Sequence, residues 1–357
     1  MEKKFISEYI KADMIPIFDP IAMGLYIIGY IFMFIIAATI APKVANAVSG
    51  RFTLYGAMAL TAILIILTTA FIIYLIVIYA APYLTTYGLG LFGGLIFFIV
   101  LMNLIMYFLS PYMINMAYGA RPDSRLQQIV DDVAARLGAP FRLKAVIVNG
   151  PPNAFAYGNF LTGRYVAVTS SMLSLTDRRE LEAVIGHEIG HHMHRDNAVM
   201  LLFGILPSIV YYLGVMSVHM ALGHSNNRGG GPVLLAIGIA AVLVSFIIQL
   251  LVLAFSRLRE YYADTAGARA AGKEAMQFAL AKIHKYYFAN PEDHLMVKDS
   301  RFRALFIYAL VNAVANPFVT LTKSEVEQIK RSRYSAFMEI FSTHPPIPKR
   351  LRFLDQL

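Results

Sequence analysis

The longest stretch without a charged residue constrains this chain most. No Asp, Glu, Lys or Arg occurs from Phe52 to Ala120, and residues 21–41 form a second uncharged run. An α-helix rises about 1.5 Å per residue and needs about 20 apolar residues to cross a bilayer. The long run therefore has room for two spans, divided at "APYLTTYG", where proline and glycine favour a turn. We predict membrane spans near 21–41, 55–80 and 88–110.

Two more uncharged runs lie in the second half of the chain. They extend from Ala198 to Asn227 and from Gly229 to Ser256, and the loop-like stretch "GHSNNRGGGP" separates them. We predict a membrane hairpin with spans near 198–221 and 232–256. The composition agrees, because 58% hydrophobic and only 15% charged residues are unusual for a soluble protein of 357 residues.

Polar sequence falls into two blocks on either side of this hairpin. The predicted order is an N-terminal membrane region over 1–110, a first polar part over 111–197, the hairpin over 198–256 and a second polar part over 257–357. A single soluble domain interrupted by a membrane hairpin is the simplest organisation. The net charge of +9 includes no dense Lys/Arg block, and basic residues that flank spans explain it. We therefore expect no nucleic-acid partner.

The run "GHEIGHHMHRDN" contains four of the nine histidines. Asp177 and Glu180 can begin a helix as a capping box, which places His187 and His191 on one face, with Cβ atoms about 5–6 Å apart. Two imidazoles at that separation can bind one metal ion at about 2.0–2.1 Å. Glu188 is then placed to act on water as a general base, as in HExxH zinc hydrolases. Because the chain has no cysteine, a metal must be bound by histidine and carboxylate.

The other histidines of this run fit a metal site less well. His194 lies about 10 Å along the axis from His187, which is too far for one ion on a straight helix. The metzincin pattern HExxHxxGxxH also fails, because His194 and Asn197 occupy its last two defined positions. His192 points away from His191, and we interpret it as facing solvent or contacting the site from outside the ligand set. Alternatively, the whole run only marks the wet end of a membrane helix.

The stretch "SRLREYYADTAGA" follows the second hairpin span. On a helix, Glu260 can bind a metal while Asp264, four residues on, accepts the N–H of a ligand histidine. A plain surface helix fits the same pattern. Two spans lie between His191 and Glu260, so both residues emerge on the same side of the membrane. The metal would lie within roughly 10 Å of the hydrocarbon edge, and we expect substrates in or near the membrane.

Four stretches follow one another along the chain: "NAFAYG", "LEAVIGHEIGHHMHRD", "SRLREYYADTAGA" and "FSTHPPIPKRL". Together they resemble the HtpX-like membrane zinc metalloproteases, which are relatives of the CAAX prenyl proteases, over most of residues 120–357. The resemblance implies one zinc ion per chain. The predicted fold class is mainly α, a multi-pass helical membrane protein with an α+β zincin-like metalloprotease domain that a transmembrane hairpin interrupts.

The resemblance also assigns roles within the metal site. His187, His191 and Glu260 look like the zinc ligands. Glu188 looks like the catalytic base, and Asp264 looks like the partner of a ligand histidine.

Further residues are implied to contact the substrate. Asn153, Ala154 and Phe155 look like the edge strand that pairs with the substrate backbone. His344, which precedes two prolines, looks like the residue that steadies the substrate carbonyl or its oxyanion. Arg350 looks like its structural or substrate-binding companion.

The expected function is a zinc-dependent endopeptidase that hydrolyses membrane or membrane-proximal proteins in protein quality control. Its partners would be protein or peptide substrates and the lipid bilayer, and a homo-oligomer or quality-control partners stay open. One alternative is a CAAX-type prenyl-protein protease. Another is a non-catalytic membrane protein that binds or transports metal, which predicts ligands inside the spans. The only histidine placed inside a span is His219, near its end.

The number of spans determines whether the N-terminus and the catalytic domain lie on the same side of the membrane. Typical relatives have two spans before the catalytic part, whereas three are predicted here, which places the N-terminus opposite the catalytic domain. Short segments on the catalytic side then contain seven Lys/Arg, against four on the other side. The positive-inside rule favours a cytoplasmic catalytic domain at the cell membrane. A re-entrant 88–110 segment would instead return the N-terminus to the cytoplasm.

Overall fold

The computed structural model describes residues 51–80, 86–223, 231–290, 321–334, 339–342 and 344–357. The span predicted near 21–41 lies outside the described residues. The described helices are α1 (Arg51–Ala80), α2 (Thr86–Ala117), α3 (Ser124–Leu137), α4 (Ser170–Leu175), α5 (Arg178–Met193), α6 (Asp196–Gly223), α7 (Gly231–Ala271), α8 (Lys273–Ala289), α9 (Lys323–Arg331) and α10 (Ile347–Asp355). The described strands are β1 (Arg121–Pro122), β2 (Lys144–Val148), β3 (Ala154–Asn159) and β4 (Gly163–Thr169).

Four of the described helices are long and apolar enough to cross a membrane. Their candidate spans are Gly56–Ile78 in α1, Gly93–Ala117 in α2, Asp196–Leu222 in α6 and Gly231–Ala271 in α7. Large apolar side chains face outward on α1 and α2, for example Phe97, which is 67% exposed. A continuous apolar surface of this kind marks contact with lipid. The protein is therefore a mainly α, multi-pass membrane protein.

The segments predicted as spans near 55–80, 88–110, 198–221 and 232–256 lie within α1, α2, α6 and α7. Helix α7 does not stop where its predicted span ends near 256 but continues without a break to Ala271. The end of this membrane helix therefore carries Glu260. Helices α5 and α6 are separate, because Arg195 between them has left-handed backbone with φ of 54°.

A four-stranded sheet in the order β1-β2-β4-β3 accompanies the helices. Strand β2 pairs with β4 in parallel, and β3 pairs with β4 antiparallel, with Phe155 opposite Ala167. Strand β3 is therefore an edge strand. The core of the polar part contains buried side chains from α3, α5 and α8, such as Val133, Ile185 and Leu280.

Helices α5 and α7 approach each other closely at two glycines. A Cβ added to Gly186 would lie 2.5 Å from the Cβ of Ala270, and one added to Gly190 would lie 2.9 Å from the Cβ of Ala266. Both distances are shorter than real carbon–carbon contacts, so only glycine permits this packing. The close approach brings the HExxH helix against the segment that carries Glu260.

Candidate active site

Helix α5 presents His187, Glu188 and His191 on adjacent turns. It begins with the expected capping box, because Asp177 accepts a hydrogen bond from the backbone N–H of Glu180 at 2.9 Å and the Glu180 side chain accepts one from Asp177 at 2.8 Å. The rings of His187 and His191 lie 4.9 Å apart between centroids. One donor atom from each of His187, Glu188 and His191 lies within 4.8 Å of the others.

Glu260 on α7 faces both histidines. Its Oε2 lies 3.6 Å from Nε2 of His187, and its Oε1 lies 3.6 Å from Nε2 of His191. Donor atoms about 2.0–2.1 Å from a tetrahedral zinc ion are about 3.3–3.4 Å apart from one another. The three side chains therefore have nearly the spacing of a zinc site. In sequence, the HExxH residues precede the membrane hairpin and Glu260 follows its second span.

The polar atoms of this cluster also fit a metal ion. Within the described residues, Nε2 of His187 and Oε1 of Glu188 are buried and have no hydrogen-bond partner. An unpaired buried polar atom costs about 1–3 kcal/mol. Among these residues, the buried carboxylates of Glu188, Glu260 and Asp264 outnumber the buried guanidinium of Arg350. A divalent cation would supply partners and balance the excess negative charge.

Asp264 and Arg350 fix the ring of His187. Nδ1 of His187 lies 3.1 Å from Oδ1 of Asp264. Arg350 donates to both oxygens of Asp264, from Nε at 2.9 Å and from Nη2 at 2.5 Å. Asp264 is thus placed to accept the Nδ1 proton, which leaves the Nε2 lone pair for a metal. Arg350 is 0% exposed. Of the two expected roles, structural or substrate-binding, this burial favours the structural one.

A second carboxylate fixes His191 in the same way. Oδ2 of Asp196 lies 2.6 Å from Nδ1 of His191 and 2.9 Å from Nε of Arg259. Sequence reasoning misses Asp196, because its approach to His191 depends on the break in the helix at Arg195. The available signal is an acidic residue just beyond the HExxH motif, next to two further basic side chains.

Glu188 lies against the outer edge of β3. Its Oε2 accepts a hydrogen bond from the backbone N–H of Ala156 at 2.7 Å. Residues of an antiparallel edge strand alternate between the paired and the free edge, so Ala154, Ala156 and Gly158 direct their backbone groups outward. The carbonyl of Gly158 indeed accepts a hydrogen bond from Asn197 of α6 at 3.1 Å. The free edge of β3 therefore runs past the carboxylate of Glu188.

The predicted substrate-binding residues differ in orientation. Of the three, only Ala154 faces the free edge. Phe155 pairs with Ala167 of β4, and the backbone N–H of Asn153 donates to Oγ1 of Thr169 at 2.9 Å. The residues whose backbone groups face outward are Ala154, Ala156 and Gly158. They therefore extend further toward the end of β3 than the predicted segment from Asn153 to Phe155.

His344 borders the same cluster. Its Nδ1 lies 2.9 Å from Oε2 of Glu260, and the residue is 8% exposed. Arg257 of α7 holds the preceding segment by donating to the carbonyls of Ile340 at 3.2 Å and Ser342 at 2.8 Å. His344 is therefore brought to the cluster by the continuation of α7.

His192 and His194 make other contacts. The Nε2 atom of His192 hydrogen-bonds with the carbonyl of Tyr165 at 2.9 Å, and the residue is only 5% exposed. The interpretation of His192 as facing solvent is therefore wrong, because β4 covers it. Burial lowers the pKa of His192 to about 4, which keeps the ring neutral. His194 is exposed, with its ring centroid 4.8 Å from that of Tyr262.

Burial and neighbouring carboxylates set the protonation of the α5 residues. Burial alone would lower the pKa of His187, but its contacts with Asp264 and Glu260 raise this pKa to about 9. The carboxylates thus favour a positive charge at this ring, and a metal at Nε2 would take the place of the second ring proton. Burial raises the pKa of Glu188 above its usual value, which suits a carboxylate that has to take up a proton.

Comparison with known proteins identifies the family. The sequence profile of peptidase family M48 matches residues 120–357, more than half of the chain. The chain belongs to peptidase family M48. Together with the four apolar helices, the M48 membership makes this protein a membrane metalloendopeptidase. Relatives named HtpX protease, which match almost its whole length, make it an HtpX-like member.

The M48 relatives cover nearly the whole chain. This chain is 80% identical over 345 residues to the "Protease HtpX homolog" of Pyrobaculum aerophilum, and the alignment covers 96% of this chain and 99% of that protein. The "Protease HtpX homolog" of Archaeoglobus fulgidus is 54% identical over 344 residues, again with 96% and 99% coverage. The crystal structure of S. mikatae Ste24p is similar with a TM-score of 0.47 and 16% identity, over 84% of this chain and 66% of that one.

Proposed function

We propose that this M48 protein is a zinc metalloendopeptidase that cleaves membrane and membrane-proximal proteins. The observation that carries the proposal is the meeting of three groups from different elements. The HExxH residues of α5, Glu260 of α7 and the free edge of β3 lie around one cluster of buried polar atoms, of which Nε2 of His187 and Oε1 of Glu188 have no hydrogen-bond partner.

In this proposal His187, His191 and Glu260 bind one zinc ion. The ion, when bound, acts as a Lewis acid that polarises the scissile carbonyl and makes water a stronger acid. Asp264 and Asp196 hold the two imidazole rings with their Nε2 atoms toward the ion. Arg350 positions Asp264.

The other residues act on the proton and the peptide. Glu188 takes a proton from the attacking water at Oε1, while the N–H of Ala156 holds its Oε2, and it later gives the proton to the leaving amine. His344 donates to the substrate carbonyl oxygen as negative charge develops there. The substrate backbone pairs with the free edge of β3, with Ala154 in the predicted segment, and Asn153 and Phe155 support that edge from the β4 side.

The placement of Glu260 and Asp196 supports a substrate at the membrane. Glu260 lies on the continuation of membrane helix α7, and Asp196 begins membrane helix α6. We therefore propose that the protein removes damaged or misassembled membrane proteins. Because the short segments on the catalytic side contain seven Lys/Arg against four on the other side, we propose that the catalytic part lies on the cytoplasmic face of the cell membrane.

The test compares three variants purified in detergent. Glu188→Gln should retain zinc but lose cleavage of a membrane-protein substrate by at least about 100-fold, because general-base catalysis contributes about 10²–10⁴-fold. His187→Ala should lose both zinc and cleavage. The matched control is Glu182→Gln, on the same helix but paired with Arg136 and Arg178, and it should keep both. An active Glu188→Gln protein would contradict the proposal.

A further inference from the structure

A cavity of about 350 Å³ opens beside the metal cluster. Its wall includes Tyr107 of α2, Gly158 and Phe160 at the end of β3, and His191. Cavities that bind small ligands measure about 300–1,000 Å³, so this one can enclose an amino-acid side chain. Because His191 forms part of the wall, a group that fills the cavity lies next to the proposed metal.

One wall of the cavity is fixed to the membrane helix. Pro111 of α2 has no N–H, so the carbonyl of Tyr107 lacks its helical partner. Nδ2 of Asn159 donates to this carbonyl at 3.2 Å. Oδ1 of Asn159 accepts the N–H groups of Leu161 and Thr162, each at 2.9 Å. The β3–β4 turn is thereby attached to α2, and the cavity is present before a ligand binds.

Two arginines give the cavity a positive charge. Arg164 and Arg195 both line it, and neither forms an ion pair within the part of the chain that the structure describes. Arg164 packs with its guanidinium 4.4 Å from the ring centroid of Phe141, which leaves its N–H groups for another partner. The carboxylate of Asp196 also borders the cavity, but Arg259 lies 2.9 Å from it and His191 shares it.

The cavity has a defined place along the free edge of β3. Glu188 contacts Ala156. Gly158 is the next residue that faces outward, and because Asn197 occupies its carbonyl, its N–H is the group that can meet a peptide. Alternate residues of a strand are about 6.6–6.8 Å apart. A peptide paired with this edge would therefore present a side chain at the cavity about two residues from the bond next to Glu188 that water attacks.

We propose that this cavity binds an acidic side chain of the substrate, about two residues from the scissile bond. Arg164 and Arg195 bind the carboxylate through charge-assisted hydrogen bonds, and Tyr107 and Phe160 pack on the methylene groups. Glutamate fits this arrangement better than glutamine, which has the same shape without the charge. The inference rests on the proposed function, because it requires a peptide along β3.

The test measures peptide binding separately from cleavage. Fluorescent peptides that carry Glu or Gln at each position in turn are titrated against full-length Glu188→Gln protein in detergent, and anisotropy gives the Kd. At one position Glu should bind about tenfold more tightly than Gln, since a hydrogen bond to a charged group contributes about that factor. Wild-type protein should show the same preference in kcat/KM.

Variants of the arginines then decide the assignment. Arg164→Gln and Arg195→Asn should each reduce the preference for Glu, and asparagine suits the left-handed backbone at position 195, where φ is 54°. Arg164→Glu should bind a peptide with Lys at that position more tightly than the Glu peptide. Arg331→Gln removes an exposed charge on α9 and should leave the preference unchanged.

Three outcomes overturn the inference in different ways. Equal binding of Glu and Gln peptides at every position contradicts the acidic site, while zinc-dependent cleavage would leave the proposed function intact. If the variants weaken binding to phosphatidylglycerol vesicles but not the preference for Glu, the arginines bind lipid phosphate instead. If wild-type protein with zinc cleaves no peptide, the proposed function fails. If the binding assay then also shows no preference for Glu, the acidic-side-chain site fails with it.

Discussion

Two carboxylates outside the proposed ligand set determine how the HExxH histidines are oriented. Asp264 contacts Nδ1 of His187, and Asp196 contacts Nδ1 of His191. An arginine pairs with each carboxylate, so neither is free to turn toward the metal. Such partners fix the tautomer of a ligand histidine and increase the basicity of its metal-binding nitrogen. The ring orientations of this site are therefore set by residues outside the proposed ligand set.

Asp196→Asn should weaken zinc binding about 10- to 100-fold, the usual effect of removing such a partner. The amide keeps the shape of the side chain but loses the charge that stabilises the Nδ1–H of His191. Competition with a chromophoric chelator measures the affinity. Asp132→Asn, whose side chain is 66% exposed on α3, should bind zinc as wild type does. Equal affinities for the Asp196 and Asp132 variants would contradict this role.

At the level of single residues, spacing in the sequence predicts the HExxH residues of the site but misses Asp196. His187, Glu188 and His191 follow from the helical repeat, because residues four apart share a face. Asp196 does not, since its position depends on a backbone break that the sequence does not mark. The orientation of His192 is predicted wrongly in part, because helix geometry gives a direction but not the strand that covers it.

The packing of α5 on α7 joins the two halves of the candidate site. Gly186 and Gly190 within the HExxH segment let the backbones approach at Ala266 and Ala270. A larger side chain would separate the helices and move Glu260 away from the histidines. The glycines of the motif thus contribute to the metal site through packing.

Gly190→Ala should lower both zinc affinity and thermal stability, because its Cβ would lie 2.9 Å from that of Ala266. Overpacking of this kind costs about 1–3 kcal/mol. Gly204→Ala in α6 is the matched control, since the added Cβ would have no atom within 4 Å apart from its chain neighbours and the adjacent turns of its own helix backbone. Zinc titration and Tm in detergent measure both effects. A Gly190 variant that equals the Gly204 variant in both would show that the close approach is unimportant.

The sequence predicts the membrane helices, where long apolar runs contain no charged residue. Uninterrupted apolar sequence predicts helices α1, α2, α6 and α7. The charged residues after Ser256 predict the end of the last span, but α7 continues to Ala271 because a helix need not end where it leaves the bilayer. The register of β3 could not be predicted, since it depends on its pairing with β4 and on the contact between Glu188 and Ala156.

The membrane hairpin of α6 and α7 organises the whole molecule. It returns the chain to the side where the HExxH helix lies, and counting spans alone predicts this return. The multi-pass class follows from composition and the long uncharged runs. The side of the N-terminus depends on the span near 21–41, which lies outside the described residues.

The absence of cysteine from the sequence allows a direct test of topology with single cysteines in intact cells. Asp132→Cys on α3 should react with a membrane-impermeant maleimide only after lysis, because the proposed catalytic side is cytoplasmic. Ser7→Cys should react without lysis if three spans precede the catalytic part. Protection of both sites would favour a re-entrant 88–110 segment, and labelling of Asp132→Cys in intact cells would contradict the cytoplasmic assignment.

The central claim is that α5 and α7 together bind one zinc ion. X-ray absorption at the zinc edge on purified protein, with metal content measured on the same sample, tests it most directly. We predict one zinc per chain with two imidazole nitrogens and carboxylate oxygen at about 2.0–2.2 Å. Both the signal and the metal content should fall sharply in Glu260→Gln and in His187→Ala. An unchanged zinc content and ligand environment in these two variants would contradict the claim.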